Sequence, residues 1–389
     1  MLFGRICIAW LAALVACGLG AQTAPVCKTC KDQGSLPCTK HGKDLAQETP
    51  AGGTVFCSVA GECKACAGAL AVDCAKCSNA TVEQELAQRQ KLVHDWLQAR
   101  RKAVDDAVGN HTLLHHETPH VDLVFSIKPQ TVGKEKLDTH ELMHLYGKRI
   151  EALRSLYQQV FELADKDMPG RLRVYMFKEQ HDHGVIGPRE TGFGNPNASG
   201  LKQMGPEFVY SMWQDPRSMA DDEALHRNIV HHVTHLLTSE VLPVQFLGNK
   251  GHGWIDEGLA HWFEDKVTGR CLNYCFEEVL TLAGTDWKGG RWRTPVRVLV
   301  DSGKAMSFAA LSGQNTDQLS FEGHAFAFAY VDFLVTVKGG AKFRDMLRMV
   351  KGKTPIRDAL QSVYGWNPLT IEEPFLQWVK ATYPPVATR

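Results

Sequence analysis

The chain has 389 residues, of which 44% are hydrophobic and 22% are charged, and its 43 lysines and arginines balance its 43 aspartates and glutamates. This composition predicts a globular protein of two or three domains and excludes a disordered or fibrous chain. Because the net charge is zero, neither nucleic acid nor an anionic membrane surface is a predicted partner.

The first 24 residues predict an export signal. Arg5 precedes an apolar run from Ile6 to Val15, which is too short for an ordinary membrane span. Two processing sites remain open: Cys17 ends a stretch that resembles a bacterial lipobox and would carry a lipid, and an ordinary signal peptidase would cut near Ala21. Both predict an exported protein (periplasmic, lipoprotein at the cell surface, or secreted), whose only link to a membrane is the lipid on Cys17.

Residues 25–80 form a predicted cysteine-rich module. Eight of the twelve cysteines lie between Cys27 and Cys77. Two sets of four ligands share one spacing, namely Cys27, Cys30, Cys38 and His41, followed by Cys63, Cys66, Cys74 and Cys77. The repeat predicts two structural zinc sites, one for each set. The alternative is a disulfide framework of the kind that exported proteins contain, with Cys271 and Cys275 as a further pair.

Residues 81–118 are predicted to link this module to the main domain, mostly as an amphipathic helix from Thr81 to Val108. The histidines His111, His115, His116 and His120 follow in a spacing that matches no ligand template, just before a predicted strand from Val121 to Ile127. Further strands are predicted over Arg171–Lys178 and Glu207–Trp213, with a loop rich in glycine and proline over Gly184–Gly200.

A predicted helix over residues 137–163 contains His140-Glu141-Leu142-Met143-His144, which matches the zinc-peptidase pattern H-E-x-x-H. Its apolar stripe runs on the side opposite the two histidines, which predicts that they face solvent. Glu141 also stands three residues after Asp138 in a capping box. Gly147 stands where another group of zinc peptidases, the metzincins, has a glycine. However, the metzincin pattern needs a third metal ligand at the position that Ile150 occupies here. This motif is therefore predicted not to be the catalytic site.

A second histidine motif lies between Leu225 and Asp265. His231 and His235 are four residues apart in a helical pattern, so both imidazoles can face one metal ion. A second helix follows with the sequence WIDEGLAHWFE, in which Glu257 offers a carboxylate and His261 lies one turn later. Two histidines and one carboxylate are the ligands of a catalytic type of zinc site. His261 is predicted to orient one of these ligands.

The spacing of His231, His235 and Glu257 resembles the gluzincin metallopeptidases, in which H-E-x-x-H is followed some twenty residues later by an E-G-x-A helix. The resemblance covers about residues 119–384. It implies an α+β, zincin-like (thermolysin-like) domain with a small twisted sheet, whose last strand before the motif helix lies at the sheet edge, and a helical C-terminal half. The general-base glutamate of the family is replaced by His232, and the tyrosine that stabilises the oxyanion is replaced by His324 or, in a shifted register, by Phe321.

The sequence therefore predicts an exported, zinc-binding, metallopeptidase-like protein that acts on a peptide or protein. Peptide hydrolysis would require His232 to serve as the base, with His324 as a hydrogen-bond donor to the reacting group. The alternative is a pseudopeptidase, which would bind a peptide or a protein without cleaving it. A third hypothesis, a metal buffer that uses its many histidines, predicts several weak sites.

Overall fold

The computed structural model describes residues 27–41, 56–195, 198–275 and 287–385. These residues form a mixed α/β structure with a cysteine-rich N-terminal segment, which agrees with the predicted α+β class. The predicted export signal and the Cys17 lipid site lie outside the described residues. Within the described ranges, no helix has both the length and the apolar character that a membrane span needs.

Six strands form the main sheet, in the order β2-β4-β5-β8-β10-β9. β5, β8 and β10 are parallel to one another, whereas β2, β4 and β9 run antiparallel to their neighbours. The ten described strands are β1 Ser35–Pro37, β2 Phe56–Cys57, β3 Ala71–Asp73, β4 Leu114–Glu117, β5 Val121–Phe125, β6 Gln130–Val132, β7 Glu135–Leu137, β8 Leu172–Phe177, β9 Gly200–Met204 and β10 Phe208–Trp213.

Helices cover the sheet and build most of the C-terminal half. Three of them matter for the site: the motif helix Asp222–Glu240, the glutamate helix Gly253–Thr268 and the aromatic helix Phe321–Lys338. The other described α-helices of four or more residues are Ser58–Gly61, Ala80–Arg100, Thr139–Phe161, Gln180–Thr191, Arg293–Asp301, Phe308–Leu311, Gly340–Lys351, Ile356–Tyr364 and Glu372–Thr382. The glutamate helix packs between the motif helix and the aromatic helix, so its side chains contact both.

Two predictions about the sheet region are wrong. The predicted loop at Gly184–Gly200 is helical in its first half, because Ile186 is buried against the sheet and tertiary packing overrides the local glycine and proline. The strand before the motif helix, β10, is not at the edge as the resemblance implied. β9 pairs with it in antiparallel register and forms the edge instead.

The cysteine-rich segment has a nested arrangement, which corrects the predicted pair of consecutive sites. β1 and β3 pair antiparallel, with Ser35 opposite Asp73, so the segment before β1 meets the segment after β3. One group of sulfur atoms therefore comes from the outer cysteines Cys27, Cys30, Cys74 and Cys77, and the other comes from the inner cysteines Cys38, Cys63 and Cys66. No disulfide joins the cysteines of the described ranges.

The prediction that His140 and His144 face solvent is also wrong. The apolar stripe of helix Thr139–Phe161 is buried, and the Asp138–Glu141 capping box forms as predicted. However, β2 packs over the opposite side of this helix and brings Cys57 against both imidazoles. His144 is only 8% exposed as a result. The sequence pattern showed which side faces the core but not that a second segment covers the other side.

A buried acid at the end of the motif helix gives a pH-dependent prediction. Glu240 is 1% exposed, and burial raises the pKa of its carboxyl to about 7. The pKa in the unfolded chain is about 4.3, so this group favours folding at low pH and loses that contribution as the pH rises through 7. We expect Glu240→Gln to change the free energy of unfolding little at pH 4 and to raise it by about 3–4 kcal/mol at pH 8.

Denaturant unfolding of wild type and Glu240→Gln at both pH values measures this difference. Glu85→Gln serves as the control, because Glu85 is exposed on helix Ala80–Arg100. An equal effect of Glu240→Gln at both pH values would show that the carboxyl is not the titrating group.

Candidate metal centre

The motif helix presents its two predicted ligands to the interior of the protein. Asp221 caps the helix by accepting a hydrogen bond from the amide of Ala224 at 2.8 Å. His231 and His235 lie one turn apart on the face that meets the glutamate helix, and neither is exposed. Gly258 lets the aromatic helix approach closely, since a Cβ there would stand 2.7 Å from the carbonyl oxygen of Ala327.

Three ligand atoms converge between these helices. Nε2 of His231 lies 3.3 Å from Nε2 of His235. The carboxylate of Glu257 places Oε1 3.2 Å from Nε2 of His235 and Oε2 3.6 Å from Nε2 of His231. In a tetrahedral zinc site with bonds of 2.0–2.1 Å, neighbouring N and O ligands are about 3.4 Å apart. The three predicted ligand residues therefore have separations that suit one metal ion.

Two further acidic side chains lie against the imidazoles, and burial raises the pKa of one of them, Glu264, to about 8. Nδ1 of His235 lies 3.0 Å from Oδ1 of Asp256, and Nδ1 of His231 lies 3.1 Å from Oε2 of Glu264. A carboxylate that accepts the Nδ1 proton leaves the lone pair of Nε2 for a metal ion and makes the ring more basic. Each histidine thus has the outer partner that metal-binding histidines usually have.

The protonation states of two ligands, His231 and Glu257, suit cation binding, whereas Asp256 and Glu257 outweigh burial and raise the pKa of the third ligand, His235. Burial lowers the pKa of His231 well below its usual value, so this imidazole is neutral at pH 7. Burial alone would raise the pKa of Glu257, but the neighbouring His235 and His231 outweigh it and hold that pKa well below normal. A neutral imidazole and an ionised carboxylate are the forms that bind metal.

The thiol of Cys275 lies at the fourth corner of this group. Its Sγ is 3.1 Å from Oε1 of Glu257 and 3.7 Å from Nε2 of His235. A zinc–sulfur bond of 2.3 Å and a zinc–nitrogen bond of 2.0–2.1 Å place S and N about 3.6 Å apart. Lys202, on β9, donates a hydrogen bond to the same sulfur at 2.8 Å.

The predicted Cys271–Cys275 pair is therefore wrong. Sγ of Cys271 contacts the carbonyl oxygen of His261 at 3.3 Å, whereas Cys275 points into the centre. Glu264 causes this course of the chain, because its Oε1 accepts hydrogen bonds from the amide of Leu272 and from the side chain of Asn273, both at 2.7 Å. The segment after the glutamate helix is thereby turned back towards the metal ligands.

His232, the predicted replacement for the general base, is almost fully buried beside the ligands. Its ring lies 4.7 Å from the ring of Tyr210, and one of its nitrogens is within 4.8 Å of the ligand atoms of His231, His235 and Cys275. Burial lowers the pKa of His232 well below its usual value. A neutral imidazole in this position donates one hydrogen bond from one nitrogen and accepts one at the other. An ionised glutamate side chain, by contrast, only accepts hydrogen bonds.

His261 and His324 meet on the other side of Glu257. Nε2 of His261 is 3.0 Å from Nδ1 of His324, and these atoms lie 3.4 and 3.6 Å from Oε2 of Glu257. Burial lowers the pKa of His324 to about 4. His261 contacts a ligand, as predicted for an orienting residue. Nδ1 of His324 faces His261 and Glu257, and Phe321, the alternative position, is half-buried at the start of the same helix.

The four histidines before β5 do not form a common site. His115 pairs with Asp105 at 2.7 Å, and His120 pairs with Glu151 at 2.8 Å. His116 instead packs against His144, with 4.7 Å between the ring centroids.

Four residues of the centre were missing from the sequence prediction: Asp256, Glu264, Lys202 and Cys275. Asp256 precedes Glu257, and Glu264 follows it by seven residues, which is two helical turns and the same face. Helical spacing was therefore a usable signal for Glu264. No spacing rule connects Lys202 or Cys275 to the centre, because they belong to a separate strand and to a segment outside regular structure.

Comparison with known proteins gives no functional assignment, so any assignment rests on the geometry described above. No protein-family model matches the sequence, and no curated protein gives a significant match.

Proposed function

We propose that this chain is an exported, zinc-binding protein of the gluzincin type, whose metal centre is closed by a cysteine and does not hydrolyse peptides in this state. The observation that carries the proposal is the position of the Cys275 sulfur, which lies 3.1 Å from Oε1 of Glu257 and 3.7 Å from Nε2 of His235. Structural zinc sites have four protein ligands, whereas catalytic ones keep one position for water.

The chemistry of the surrounding residues supports a closed site. A bound zinc ion would polarise any group that replaced its fourth ligand. The ammonium of Lys202 donates a hydrogen bond to the Cys275 sulfur, and the thiolate is the form of cysteine that ligates metal. Asp256 and Glu264 keep the two imidazoles aligned. The residue at the base position, His232, brings no carboxylate to activate a water molecule.

One feature favours peptide binding as a second function. β9 is the edge strand of the main sheet and pairs only with β10 among the described strands. An extended peptide can add to such an edge through main-chain hydrogen bonds. Lys202 lies on β9 and reaches Cys275, so a peptide on this edge would lie close to the metal centre. This arrangement suits the pseudopeptidase alternative.

The decisive experiment asks whether the fourth position is closed. We expect zinc-loaded Cys275→Ala to bind acetohydroxamate, a small zinc ligand, at least about 10-fold more tightly than wild type, because removal of the thiolate opens a coordination position. Isothermal titration calorimetry of the full chain measures this. Cys271→Ala is the matched control, since that cysteine lies in the same segment but contacts a backbone carbonyl. Equal binding by wild type and Cys275→Ala would contradict the closed centre.

A further inference from the structure

A second group of metal ligands lies about the motif His140-Glu141-Leu142-Met143-His144. The sulfur of Cys57 is 3.5 Å from Nε2 of His140 and 3.6 Å from Nε2 of His144. The two Nε2 atoms are 2.8 Å apart. These three residues are among the groups whose ligand atoms all lie within 4.8 Å of one another.

The distances suit zinc. Sulfur and nitrogen ligands of a tetrahedral zinc ion are about 3.6 Å apart, as observed for both pairs that include Cys57. Two nitrogen ligands are about 3.4 Å apart, so an ion would separate the imidazoles by roughly half an ångström. Since His140 and His144 belong to adjacent turns of one helix, a small side-chain rotation provides this change.

The surroundings exclude a hydrolytic role for this group. Glu141, the base of the matching peptidase pattern, accepts a hydrogen bond from the amide of Asp138 at 2.9 Å and is exposed at the start of the helix. Gly147, which matches the metzincin glycine, has a local reason to lack a side chain. A Cβ at this position would stand 2.8 Å from Cδ2 of His116.

The three ligands come from two distant parts of the chain. Cys57 lies on β2, directly after the cysteine-rich segment's first half, and pairs with His116 on β4 of the main sheet. His140 and His144 lie on helix Thr139–Phe161, which packs under the sheet. The ring of His41, from the cysteine-rich segment, lies 6.1 Å from the ring of His140. An ion here would join the N-terminal segment to the main domain.

We propose that Cys57, His140 and His144 bind a zinc ion that fastens the cysteine-rich segment to the helix Thr139–Phe161. One thiolate and two imidazoles are ligands typical of zinc, and a site made at the junction of two segments contributes its binding free energy to their association. This ion is separate from the one proposed at His231, His235 and Glu257, and neither site shares a ligand with the other.

The test is the zinc content of the full chain by mass spectrometry after exhaustive dialysis. We expect Cys57→Ser, His144→Gln and the double variant each to contain one zinc fewer than wild type, since all three remove the same ion. Glu141→Gln is the control within the same motif and should keep the wild-type content. A wild-type zinc content in both Cys57→Ser and His144→Gln would overturn the proposal.

A measurement on the wild-type protein covers the case in which these variants do not fold. Cadmium-113 NMR of the cadmium-loaded chain should show two resonances in the range of sites with a single thiolate, one for Cys57 and one for Cys275. If only one such resonance appears in wild type and it vanishes in Cys275→Ala, the site at Cys57 does not exist. The reverse pattern would support the Cys57 site and contradict the closed centre.

Discussion

His235→Ala should remove one zinc ion per chain and leave the zinc of the other groups in place. His235 supplies Nε2 to the convergent ligands and is itself oriented by Asp256, so its loss removes both a ligand and the pairing that aligned it. The affinity of the centre should fall by more than about 100-fold, because loss of an outer-shell partner alone costs about 10- to 100-fold. Competition with a fluorescent zinc chelator measures this affinity.

Two companion variants sharpen this result. His226→Ala removes a histidine from the same helix, but that ring packs on Tyr146 outside the centre, so its zinc content should match wild type. Asp256→Asn keeps all the ligands and should produce an intermediate loss of about 10- to 100-fold. Unchanged zinc in His235→Ala would place the ion elsewhere, and an equal loss in His226→Ala would indicate a general effect on folding.

The double variant Cys275→Ala/His232→Glu should gain peptide hydrolysis. The first change opens the fourth position for water, and the second restores a carboxylate in the place of the general base. Because a positioned base contributes about 10²- to 10⁴-fold, we expect the double variant to exceed either single variant by at least about 100-fold. A library of quenched fluorescent peptides gives the rates.

The controls for this gain separate metal chemistry from contamination. Adding Glu257→Ala to the double variant removes a ligand from the same centre, and activity should return to the wild-type background. Treatment with a chelator should have the same effect. A zinc-loaded double variant that cleaves no peptide would show that the surrounding cleft is not that of a peptidase, which would favour the binding function.

The sequence was sufficient for the part of the centre that lies on helices. Spacing by four residues placed His231 and His235 on one face, and the structure brings Glu257 to them. The fourth residue of the centre, Cys275, could not be predicted from sequence spacing. It meets the other residues only because Glu264 accepts a hydrogen bond from the amide of Leu272 and thereby turns the chain back. A contact of this kind depends on three-dimensional packing and has no period in the sequence.

The same limit explains the errors in the N-terminal region. Equal spacing within the two cysteine sets suggested two consecutive sites, but the pairing of β1 with β3 decides which cysteines meet. Amphipathic patterning identified the core side of helix Thr139–Phe161 correctly. It gave no information about β2, whose Cys57 covers the other side. In both cases a strand pairing between distant residues determined the result.

The nested cysteines have a consequence for the order of assembly during synthesis. The inner group spans Cys38 to Cys66, so it becomes complete while the outer group still lacks Cys74 and Cys77. The inner group also closes a shorter loop and has the smaller entropic cost. Cys27 and Cys30 therefore leave the ribosome first but meet their partner cysteines last. Until the segment is nearly complete, they can associate with the wrong cysteines.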